Sequence, residues 1–109
     1  MEKSSSEIVV LVTASSADEA EHIGKTVVSS GLAACANIVG SVQSIFRWDN
    51  KVNVASEWLI IIKTTLDRFP ELETVIRGHH SYSVPEIIAL PIIMGSAPYL
   101  EWIKSETHK

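Results

Sequence analysis

Residues 35–65 constrain this chain more than any other stretch. Two runs rich in β-branched and aromatic residues flank Asp49-Asn50, a pair suited to a tight hairpin turn because Asn tolerates a positive φ. Each arm of such a hairpin has about 14 residues, or roughly 46 Å at 3.3 Å per residue. A compact domain of this length has a radius of gyration near 13 Å and is only some 35 Å across. The arms therefore outreach the body they belong to. Their outer part, around Phe46, Trp48 and Val54, is too apolar to stand alone in water. Further copies of the chain are the expected cover, so the ribbon predicts an oligomer.

With 109 residues the chain forms one domain large enough to bury a core. We expect a disordered tail over residues 1–7 and a single domain over 8–109. The formal net charge of −4 argues against general binding to nucleic acid or to an anionic membrane. A single cysteine excludes an internal disulfide and suits a reducing compartment. No apolar run is long enough for a signal peptide or a membrane span, so a soluble, cytoplasmic protein is expected.

In chain order, Ile8 to Thr13 is continuously apolar up to its last residue, which predicts a central strand buried on both faces. Ser16 and Glu19 have capping-box spacing, and the apolar face of Ala17, Ala20, Ile23, Gly24, Val27 and Val28 predicts a helix over 17–30, closed by Gly31. In the second hairpin arm Trp58 to Ile62 is unbroken apolar sequence, a second central strand. Trp58 and Ile60 are both expected in the core. A second helix begins near Pro70, with Asp67 as its N-cap and Pro70 at the third helical position, and ends at Gly78. A strand follows between Pro85 and Ile93, and Gly95-Ser96 opens a last helix through Trp102 and Ile103.

The order β-α-β-β-α-β with an extra C-terminal helix predicts an α+β, ferredoxin-like antiparallel sheet. A doubly wound parallel sheet is the alternative, and the direct hairpin counts against it.

Several motifs carry a family resemblance. Ala33-Ala34-Cys35-Ala36-Asn37, Ser44-Ile45-Phe46-Arg47-Trp48, the Glu57 to Thr65 segment, and His79-His80-Ser81-Tyr82-Ser83-Val84-Pro85-Glu86-Ile87-Ile88 together resemble the CutA divalent-cation tolerance family, in the expected order from about Ile8 to Trp102. The resemblance implies a homotrimer of ferredoxin-like subunits, related in architecture to PII-type signalling proteins. It implies a link to tolerance of copper and other divalent cations, and some animal relatives are linked to anchoring of acetylcholinesterase. Two departures stand out. Asp49-Asn50 replaces an acidic residue followed by Gly, and Ser81 replaces a common Pro.

His79 and His80 are the most evident metal candidates, because imidazole suits copper, zinc and nickel. Adjacent side chains in a strand face opposite ways, but these two follow Gly78 in an expected loop, where that limit relaxes. A solvated histidine beside one that caps the helix is the plainer reading. Glu86, just beyond, would add an oxygen ligand or pair with a neighbouring subunit. Cys35 offers a soft thiolate, but in a ferredoxin-like sheet it lies at the end of the subunit away from the histidines. It is expected as a small buried hydrophobe. Val12 stands beside the histidines where some relatives carry a cysteine, so a complete soft site within one chain is not expected. Cu(II) or another divalent cation, held modestly by His79, His80 and Glu86 or water, is the expected ligand. Binding through imidazole should weaken below about pH 6.

No Gly-rich phosphate loop, G-x-S-x-G or Cys-x-x-Cys is present, and the loop after the first strand offers no Arg for acylphosphatase-like chemistry. The chain reads as a non-enzyme. Two functions remain: a homotrimeric, weakly metal-binding tolerance protein, or a PII-like regulatory or scaffold module that binds a small ligand or partner protein between subunits.

Overall fold

A computed structural model describes residues 6–107. Of the expected tail, residues 1–5 lie outside the described residues. The carbonyl of Ser6 already accepts from the Leu66 amide at 2.6 Å, and Glu7 opens the first strand. The elements are strand β1 (Glu7–Ala14), helix α1 (Ala17–Ser29), strands β2 (Cys35–Trp48) and β3 (Lys51–Thr65), a 3-10 turn (Leu66–Arg68), helix α2 (Phe69–His79), strand β4 (Ile87–Pro91) and helix α3 (Ala97–Glu106). The sheet order is β2-β3-β1-β4 with every neighbouring pair antiparallel, which is the ferredoxin-like arrangement.

Alternation along the strands explains the core. Ile8, Val10, Val12 and Ala14 of β1 and Ile60 and Ile62 of β3 point to one face, where Ala20, Ile23 and Val27 of α1 and Leu72 and Ile76 of α2 close over them. These side chains are almost wholly removed from water. Ile60 is in this core as expected. Trp58 is only half-buried and packs at its margin. The reason is local: its indole lies over the backbone of Gly40, the paired residue on β2, near the start of the ribbon.

The opposite sheet face is only partly covered. The register places Val9, Leu11, Leu59, Ile61, Ile88 and Leu90 together there. Val9, Leu11, Leu59 and Ile61 are half-buried, and Ile88 and Leu90 are exposed. Burial of β1 on both faces is thus complete on one face only, because α1 and α2 lie on the same side.

The hairpin is as long as the arithmetic requires. Asp49 and Asn50 both take positive φ, 56° and 62°, and Trp48 pairs directly with Lys51. The molecule measures 47 × 26 × 22 Å. Ile45, Trp48, Val52 and Val54 in the outer ribbon are each at least 60% exposed. Between Gly40 and Val42 the register shifts, so Ser41 is an extra residue on β2.

Helix α1 ends as its sequence suggests, with Ser30 as C-cap and Gly31 at φ 79°. The start of α2 differs from expectation. Asp67 is not the N-cap: its Oδ1 accepts from Thr65 Oγ1 at 2.6 Å within the 3-10 turn. The helix proper begins at Phe69, so Pro70 sits in its first two positions, where a missing N–H costs nothing. It runs one residue past Gly78, to His79. Strand β4 is also shorter than the apolar run, because pairing with β1 extends only from Ile87 to Pro91.

Candidate functional site

The capping box of α1 turns out to be the anchor of the His79–Tyr82 segment. Ser16 Oγ accepts from the Glu19 amide at 3.1 Å, capping the first turn. Glu19 reaches back with Oε1 to the Ser15 amide and hydroxyl, each at 2.8 Å. Its other oxygen accepts from the Ser81 amide at 2.6 Å, across 62 residues of sequence. Burial works against the Glu19 charge, but the hydrogen bonds from Ser15 and Ser81 outweigh it and hold the carboxyl down to about 2.

His80 is turned inward by the same arrangement. Its side chain is fully buried. Nε2 lies 2.7 Å from the carbonyl of Thr13, and Nδ1 accepts from the Tyr82 amide at 3.1 Å. A nitrogen that accepts from an amide carries no proton, so the ring is neutral and Nε2–H donates to Thr13. The 3.7 Å approach of Glu19 Oε2 to Nδ1 is therefore not an ion pair. Both His80 nitrogens have a protein partner. His79 behaves differently. It is exposed at the last turn of α2, and its Nδ1 lies 3.0 Å from Nε2 of His22 on α1.

Glu86 belongs to a separate feature, a cleft of about 620 Å³ on the partly bare side of the sheet. Thr13, Phe46, Trp48, Glu57, Tyr82 and Glu86 are among its lining residues. Tyr82 Oη donates to Glu57 Oε2 at 2.6 Å, and Glu57 is itself buried. Burial first, then the bond to Glu57 and its charge, push the Tyr82 phenol up to about 12. Burial and the Glu57 charge also push the Glu86 carboxyl above its ordinary value. The cleft is thus a pair of carboxylates and a phenol against an aromatic wall.

Cys35 is half-buried rather than buried. Strand alternation puts it on the face away from α1 and α2, where its Sγ lies 3.6 Å from Asn37 Oδ1, an oxygen that also accepts from Lys63 Nζ. Its position opposite Lys63, and so opposite Val9 on β1, is at the other end of the sheet from Thr13 and His80, as the topology implies.

Among the described residues no three His, Cys, Asp or Glu side chains come together as a group able to hold a metal ion. The structure brings His80 to Thr13, His79 to His22, and Glu86 to Glu57, and does not gather the three expected ligands. Two participants escaped sequence reasoning. Glu19 gave a signal, its capping-box spacing, but not its long-range partner. His22 gave none beyond being an imidazole on the polar side of α1.

A family model described as CutA1 divalent ion tolerance protein matches residues 8–106. The divalent-cation tolerance protein CutA of Thermus thermophilus is 45% identical over 101 residues, spanning 93% of this chain and 98% of that protein. Its solved structure superposes with a TM-score of 0.92, over 94% of this chain and 99% of that one. The chloroplastic protein CutA of Arabidopsis thaliana is 43% identical over 100 residues, or 92% of this chain, and this chain spans about half, 55%, of its length. The structure of a periplasmic divalent cation tolerance protein CutA from Archaeoglobus fulgidus, 36% identical, gives 0.90 over 94% of this chain and 99% of that one.

Proposed function

Because this chain belongs to the CutA1 divalent ion tolerance family, we propose that it is a homotrimeric divalent-cation tolerance protein that binds copper or another divalent cation weakly. The observation that carries the assembly is the partly bare sheet face with its apolar ribbon. Val9, Leu11, Leu59, Ile61, Ile88 and Leu90 form a continuous patch, Phe46 and Trp48 extend it outward, and Ile45, Val52 and Val54 expose the other side of the ribbon. A soluble monomer rarely exposes so much contiguous apolar surface. Three copies with ribbons laid across neighbouring sheets would cover it.

Of the three ligands expected from the sequence, His79 is the one whose ring stands in solvent, and we assign it direct contact with the ion. His80 supports that site from behind, by tying the loop after α2 to the end of β1 through Thr13. Glu86 contributes negative charge at the cleft. We place the protein in the reducing cytoplasm, which its single cysteine suits. Relatives carry chloroplastic and periplasmic names. Among the described residues no helix is long and apolar enough to cross a membrane.

The cleft at Glu57, Tyr82 and Glu86 favours a second reading, a PII-like module that binds a small ligand or partner protein between subunits. Its size and mixed lining suit a small molecule. Light scattering tests the assembly: three times the monomer mass at micromolar concentration is expected, and a stable monomer refutes it. Calorimetric titration of the assembled protein with Cu(II) and Zn(II) separates the two functions, since the second predicts no heat of metal binding.

A further inference from the structure

The surface between α1 and the last turn of α2 holds a pair of imidazoles. His22 Nε2 and His79 Nδ1 face each other at 3.0 Å, with ring centroids 5.0 Å apart and planes tilted by 52°. Both residues are exposed. Their backbones are held by the helices that pack over the core, so the pair is preset by the fold: Ile23 and Ile76, close by on the two helices, are fully buried.

As it stands, this pair makes one N–H···N hydrogen bond, with one ring as donor. A neutral imidazole can carry its proton on either nitrogen. If the donor ring moves its proton to its other nitrogen, two lone pairs face one another with no net release of protons. Metal–imidazole bonds are about 2.0–2.1 Å, so two such nitrogens on one ion at an angle of roughly 90–110° are about 2.9–3.4 Å apart. The observed spacing falls within that window. A small rotation of the two rings would then suffice, with no movement of either helix.

We propose that His22 and His79 chelate one divalent transition-metal ion through His22 Nε2 and His79 Nδ1, with water in the remaining positions. The chemistry favours Cu(II), which binds nitrogen ligands more tightly than Ni(II) or Zn(II). This rests on the reading above that the protein binds divalent cations, and it supplies His79 with a second protein ligand that the sequence did not suggest. Two imidazoles and water make an open site of modest affinity, in keeping with uptake and release rather than permanent storage.

The test is titration of the assembled wild-type protein with CuCl₂ and ZnCl₂ at about pH 7.5, beside His22→Gln and His79→Gln, with Cu(II) electron paramagnetic resonance on each. Both substitutions are at exposed positions, and circular dichroism checks that the variants fold. We expect one Cu(II) per chain in the wild type, with coupling to two nitrogens. Either variant should bind roughly tenfold or more weakly, with coupling to one nitrogen. If the wild type binds Cu(II) and His22→Gln binds it equally well with an unchanged spectrum, the chelate is refuted while metal binding stands. If the wild type takes up neither metal, the metal-binding reading itself fails, and the chelate with it.

Discussion

Replacing Glu19 by Gln should lower stability by about 3 kcal/mol per chain at neutral pH, and that loss should vanish in acid. The carboxylate accepts three hydrogen bonds from Ser15 and Ser81 and is only 12% exposed as a side chain. A carboxyl drawn from 4.5 down to about 2 contributes roughly 3 kcal/mol at about 1.4 kcal/mol per pH unit. The sign follows from the depressed value. Stability is fully present above 4.5, and is lost as pH falls towards 2, where the folded state is protonated as well. Gln keeps the shape but not the charge, and its amide nitrogen must face donors on one side. Because Gln does not titrate, the difference between wild type and variant isolates this one group. Urea unfolding at fixed protein concentration, followed by tryptophan fluorescence at several pH values between about 7 and 2.5, measures it. A gap below about 0.5 kcal/mol at neutral pH, or one that does not shrink between about pH 5 and 2.5, would refute the account of Glu19 as a charged anchor.

Gly40→Ala should destabilise by about 1–3 kcal/mol, since a Cβ there would stand 1.9 Å from the Trp58 indole; urea unfolding checks it, and an unchanged midpoint would mean that the ring is free to move. Trp58→Ala should cost about 2–4 kcal/mol, towards the low end for a tryptophan because the ring is half-buried. Its unfolding should also depend more steeply on protein concentration if folding and assembly are coupled, and a concentration-independent midpoint would count against that. The raised Tyr82 phenol contributes stability that is full below pH 10 and lost as pH rises towards 12. Ultraviolet titration should show Glu57→Gln moving that transition down, and no movement would remove Glu57 as a cause.

Most of the fold was legible because it rests on local patterns. Asp49-Asn50 fixes the turn, the unbroken apolar run from Trp58 to Ile62 marks a central strand, and Ser16 with Glu19 marks the start of α1. Boundaries were less legible where two patterns compete. Asp67 has cap chemistry, yet the hydroxyl of Thr65 engages it and the helix begins later. The site was harder still. Adjacent histidines look like one feature in sequence, but His79 closes a helix while His80 leaves it, so their rings part towards His22 and Thr13. Nothing in either motif encodes the distance between α1 and α2, which is set by the packing of Ile23, Leu72 and Ile76. Cys35 is expected as a small buried hydrophobe, but strand alternation turns it to the partly bare face beside Asn37 and Lys63, which only the sheet register reveals.

Ser41 gives β2 two phases. Up to Gly40 the odd-numbered residues of the strand share a face with Leu59 and Ile61, and from Val42 onward the even-numbered residues do. The single extra residue therefore acts as a half-period delay, and the outer strand is read in the opposite sense from the inner one. Phe46 and Trp48 owe their place on the Glu57 side to that delay. Were Ser41 taken into a regular strand with no bulge, every outer side chain would swap its side and both aromatics would turn away from Glu57. The aromatic wall is thus set by a count of residues: β2 carries one more than β3 between the Gly40–Trp58 pair and the turn, and the bulge at Ser41 absorbs the surplus so that both aromatics stay beside Glu57.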